Sequence, residues 1–153
     1  MTDTLQAVIV ASIACGTLDA TAATTQAALL GIPAQRVWQT VASGILGPPA
    51  FEKGWRTGIF GIALHFIISF TIATIYVFAS HRLPFLLTHP LTAGALFGMA
   101  VFTVMTYVVL PLSRRPKRPF NLKFAFTQLV IHICIVGWSI ALAAHYLLPR
   151  VVH

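Results

Sequence analysis

The sequence predicts an all-α, polytopic membrane protein with four transmembrane helices and a short interfacial amphipathic helix between the first and second. Three observations carry that prediction. Of 153 residues, 58% are hydrophobic and 8% charged, against roughly a quarter charged in an ordinary soluble domain. Four apolar runs, at about 5–31, 55–79, 91–112 and 122–148, match the ~20 residues that cross a bilayer. The formal charge of +7 is carried between those runs, which is an orientation signal rather than the basic face of a nucleic-acid binder. The lipid bilayer is therefore the expected surrounding, no nucleic-acid partner is expected, and residues 1–153 form a single integral membrane domain.

The first run ends at Gly31-Ile32-Pro33. At about 100° per residue, Ser12, Cys15, Asp19, Ala23 and Gln26 share one of its faces, with Thr17, Thr21 and Thr24 nearly opposite. Residues 34–46 follow, with Val37, Val41 and Ile45 at every fourth position, Pro33 before them and Gly47-Pro48-Pro49 after. Such a segment is too short to span. It reads as an interfacial helix with Arg36 and Trp38 as anchors. In the second run Gly54, Gly58, Gly61, His65, Ser69 and Tyr76 fall in a narrow arc, a small-residue face suited to close helix approach. The third run carries a Gly94-x-x-x-Gly98 pair. The fourth has one polar stripe, Asn121, Gln128, His132, Ser139 and Tyr146, within roughly 40°.

The basic residues set the expected topology. Arg36 and Lys53 lie between the first two runs, with Arg56 at the start of the second, and Arg114, Arg115, Lys117 and Arg118 lie between the last two, with Lys123 at the start of the fourth. Both loops are expected in the cytoplasm and both termini outside, which suits a bacterial inner membrane. Met1 to Gln6 contain no Lys or Arg, so the segment is expected to be retained rather than cleaved as a secretory signal. Cys15 and Cys134 sit inside apolar runs, where a thiol behaves as a small hydrophobe and defines no disulfide scaffold.

Asp19 is the one carboxylate deep in a run. An ionised Asp at the centre of a membrane helix costs roughly 2.5–3.5 kcal/mol on insertion scales, so it needs a partner or a proton. No Lys or Arg lies equally deep. His65 and His132 are thus the candidate partners in a polar midplane cluster, supported by Cys15, Gln26, Ser69, Gln128 and Ser139. Such a cluster suits handling of protons or of a small ion or solute. Asp19 with the two histidines and Cys15 is also a conceivable donor set for a transition metal, and His65 with His132 an axial pair for haem. The remaining alternative is a non-catalytic structural or assembly subunit, as a homo-oligomer or beside another membrane protein. His-Glu-x-x-His, Gly-x-Ser-x-Gly, the phosphate loop and Cys-x-x-Cys are all missing. Neither an enzyme nor a cofactor is expected.

Gly16-x-Leu18-Asp19, Arg36, Gln39-x-Val41-Ala42-Ser43-Gly44-x-Leu46-Gly47, Gly61 before His65-Phe66, Leu83-Pro84, His89-Pro90 and Val108-Val109-x-Pro111-Leu112-Ser113 occur in that order. In this the chain resembles a group of small, uncharacterised four-span bacterial inner-membrane proteins. The resemblance covers most of the chain. It implies a four-span fold and a shared pattern that includes Asp19, Arg36, Gly44, His65 and Pro111.

Overall fold

A computed structural model describes residues 2–117, 119 and 121–149. Arg118 and the tail from Arg150 to His153 lie outside the described residues. Among these residues the regular structure is helical, and four helices are long and apolar enough to cross a membrane: Thr2–Leu29, Trp55–Ser80, Pro90–Leu112 and Leu122–Leu147. The protein is an all-α, four-span membrane protein.

Helix α1 is Thr2–Leu29. It stops where Gly31 takes φ 70°, a left-handed conformation that costs glycine little and other residues more, and the Ile32 N–H closes back on the Ala27 carbonyl at 2.9 Å. Helix α2, Ala34–Leu46, ends at Gly47 with φ 71°. A 3₁₀ turn at Pro48–Phe51 leads into α3, Trp55–Ser80. The short α4, Phe85–Thr88, turns the chain into α5, Pro90–Val104.

The third span then widens into a π-helix at Met105–Val109 before the short α6, Leu110–Leu112. Pro111 has no N–H to offer the preceding turn, and a widened turn is one way for a helix to accommodate it. The fourth span begins with α7, Leu122–Ile131, capped by the Asn121 side chain on the Phe124 N–H at 2.9 Å. It passes through a second π segment, His132–Gly137, and ends as α8, Trp138–Leu147.

Helix α1 lies between the second and fourth spans, and the third span packs on the fourth. Glycines make both outer crossings close. A Cβ on Gly61 would run into the Trp38 carbonyl of α2, one on Gly98 into the His132 carbonyl, and one on Gly137 into the Gly94 carbonyl. The small-residue arc of the second span thus meets α2 through Gly61 and α1 near Ser69, and the Gly94/Gly98 pair meets the π segment of the fourth span.

The two ends of the bundle differ. The end away from the basic loops holds one continuous core, built from Ala7, Val8, Ala11, Ala73, Tyr76, Val77, Ile140, Ala141 and Ala144 among others. Side chains there bond backbone carbonyls at and beside the turn: Tyr76 Oη donates to Leu86 at 3.0 Å and the His145 ring to Leu87, while Trp138 Nε1 donates to Leu91 in the first turn of α5 at 3.1 Å. At the basic end burial centres on the junction of α2 with α3, while α7, α6 and the Met105–Val109 segment have no buried residue. The two basic loops meet there, with the Arg114 N–H bonded to the Gly44 carbonyl at 2.9 Å.

Candidate functional site

Asp19 lies ten residues before Leu29, His65 ten after Trp55, and His132 ten after Leu122. Each is therefore roughly 15 Å inside its helix from the basic end. Equal depth does not bring all three together. The structure pairs Asp19 with His65, Nδ1 to Oδ2 at 4.0 Å, with side chains 25% and 14% exposed.

Backbone approach makes this pairing possible. A Cβ on Gly16 would lie 2.6 Å from the Phe66 ring and 3.2 Å from Ser69 Oγ, so glycine at this position lets α1 and α3 draw close. At that separation His65 Nε2 reaches the Gly16 carbonyl at 2.9 Å. Since a carbonyl only accepts, that ring nitrogen carries a proton, and the other one faces the carboxylate. Trp38 and Phe66 hold the imidazole edge to face, with centroids at 5.5 and 5.4 Å. Ser69 Oγ donates to the His65 carbonyl at 3.0 Å. One turn from Asp19, the buried Cys15 thiol lies beside Ser139.

The pair has room for one additional proton. It sits on Asp19, leaving two neutral groups, or on His65 Nδ1, leaving an ion pair; without it the site carries a net negative charge. The 4.0 Å separation is an ion-pair distance. Proton exchange requires closure to about 3 Å or one bridging water.

His132 belongs to a second polar group. Its Nδ1 donates to the Gln128 carbonyl one turn back at 2.7 Å, and its ring meets Phe102 at 5.7 Å. Gln128 Nε2 in turn donates to Gln26 Oε1 at 2.9 Å, joining the fourth span to the first. The expected cluster of three thus resolves into Asp19–His65, with Cys15, Ser69 and Ser139 around it, and Gln26–Gln128–His132 beside it. The stripe expected on the fourth span also breaks. A π segment shifts everything beyond it by roughly one residue, about 100°, relative to an uninterrupted helix, and Tyr146 ends up 77% exposed.

Trp38 differs from the expected interfacial anchor. It is 7% exposed, turned against α3, because the face of α2 that meets α3 is Trp38, Gln39, Ala42 and Ser43, while the expected stripe leaves Val37 and Val41 half-buried and Ile45 exposed. Arg36 keeps to the loop, donating to the Phe51 carbonyl and Gln39 Oε1, both at 3.4 Å, with its guanidinium 5.0 Å over the Phe51 ring.

The donor geometry also bears on the metal and haem expectations. Among the described residues no three His, Cys, Asp or Glu side chains converge as a metal site would require. One His65 nitrogen is engaged by Gly16 and the other faces Asp19, so neither is presented to an iron shared with His132. The residues present do not fit either group. Compared with family models, curated protein sequences and solved structures, the chain matches none.

Proposed function

We propose that this membrane protein handles protons, alone or coupled to a small ion or solute, through the Asp19–His65 pair. The observation that carries the reading is the Gly16 carbonyl on His65 Nε2. It reserves one ring nitrogen as a donor and leaves the other to share a single proton with the carboxylate. A pair that changes its net charge by one on losing that proton suits uptake and release, or exchange for a cation. We place the protein in a bacterial inner membrane with both termini outside, on the positive-inside rule. The basic residues of the 36–56 and 114–123 loops support that orientation.

The test is proton uptake into proteoliposomes enclosing a pH-sensitive dye, driven by a potassium diffusion potential. The wild-type chain is expected to acidify the lumen, with Asp19→Asn and His65→Gln at least tenfold slower. Tyr146→Phe, exposed and outside the pair, stays within about twofold of wild type. Uptake by Asp19→Asn at the wild-type rate would overturn the reading.

A second reading, a structural or assembly subunit of a larger membrane complex or homo-oligomer, is favoured by one observation. The third span has only 6% of its apolar window buried, leaving most of that helix for lipid or another protein. Cross-linking from Leu96 or Val104, both exposed on it, would trap that neighbour.

A further inference from the structure

The fourth span is built in two parts that are held differently. Its π segment, His132–Gly137, is pressed backbone to backbone on Gly94 and Gly98 of α5. The arm before it, α7, has no buried residue. Its backbone hardly approaches that of α1, and one hydrogen bond reaches across, Gln128 Nε2 to Gln26 Oε1 at 2.9 Å. The same Gln128 accepts the His132 ring proton on its carbonyl, so the cross-link and the start of the π segment are mechanically joined.

Gln26 lies seven residues beyond Asp19 on α1, on the same face about 10 Å nearer the basic end. Ala23, a small residue, lies between them. Toward the other end the helices close on Ala11, Cys15, Ile140 and Ala144, each at most 1% exposed. On this face of α1 a packed core thus lies to one side of the part-exposed Asp19, and to the other the Gln26–Gln128 pair is the polar link to α7.

We infer that α7 is a gating arm, pivoting on the π segment and latched by Gln26–Gln128, which controls access to the Asp19–His65 pair from the basic end. The inference rests on the reading of that pair as the working centre. π segments inside α-helices are frequent at functional sites, and a packed pivot with a loosely held arm is hinge geometry. Hydrogen bonds between membrane helices are weak enough to open and reclose.

The test uses Ala23→Cys in a Cys134→Ser background, with Cys15 left in the core, in sealed vesicles. A membrane-impermeant methanethiosulfonate is added to one side or the other, and tryptic cleavage at Arg114-Arg115 identifies the basic side. Modification is expected from the basic side, at least tenfold faster when Gln128→Ala or Gln26→Ala removes the latch, and absent from the other side. Because the variants sit on different helices, a folding failure in one leaves the other, checked as monodisperse, to decide. A folded latch variant with an unchanged rate, or modification from the opposite side, would overturn the arm. The reading does not depend on flux. Latch-dependent, one-sided modification without proton uptake would sink the proton reading and keep the arm, and proton uptake with latch-independent modification would do the reverse.

Discussion

The end of the bundle away from the basic loops and the end beside them are made from the same four helices, yet only the first is packed like a protein interior. At the packed end, alanines, Val77, Ile140 and Tyr76 interlock, and the Leu86 and Leu87 carbonyls of the turn are answered by Tyr76 and His145. At the basic end α2 and α3 form one firm corner, around Trp38, Ala42 and Gly61. The fourth span there is tied to the first by the Gln128–Gln26 bond. Asp19 and His65 lie where the two regimes meet. Dispersion and close backbone approach hold the scaffold in a membrane, where lipid tails give no hydrophobic drive between helices. Polar groups with few contacts remain free to exchange partners.

Substitutions should separate the two regions by size of effect. The largest loss of stability is expected from Gly137→Ala, whose Cβ meets the Gly94 carbonyl with no side chain to yield. It should cost about 3 kcal/mol, the upper end for overpacking, and sharply lower the melting temperature of the detergent-solubilised protein. Ile140→Ala, at a fully buried site of the packed end, should cost about 2 kcal/mol or more. Val130→Ala on the exposed side of α7 should stay within about 0.5 kcal/mol. Equal melting temperatures for those two variants would contradict the contrast. Tyr76→Phe removes the hydroxyl on the Leu86 carbonyl and should cost about 1 kcal/mol. Gln128→Leu, at the latch, should cost about 0.6 kcal/mol.

Much of this architecture is legible in the sequence because its causes are local. Span lengths follow from runs of apolar residues, and the Gly61 and Gly94/Gly98 contacts from helical spacing. A histidine partner for Asp19 follows from the lack of any deep Lys or Arg. Which histidine it is does not follow. Depth along a helix is a matter of counting, but whether His65 or His132 turns toward Asp19 depends on the rotation of three helices, and a π segment resets that rotation in one of them. Trp38 is hidden for another reason, since α2 meets α3 through Trp38, Gln39, Ala42 and Ser43, a half-polar face that the Val37, Val41 and Ile45 spacing does not point to. The Gly16 carbonyl that fixes the His65 ring is a backbone group, which no side-chain pattern advertises.

Infrared difference spectroscopy of the reconstituted protein across a pH titration tests the shared proton most directly. A carboxyl stretching band is predicted to titrate in the wild-type protein, to vanish in Asp19→Asn, and to shift its titration in His65→Gln while staying put in His132→Gln. A band that survives Asp19→Asn unchanged, or one indifferent to His65→Gln, would contradict the claim that this pair holds an exchangeable proton.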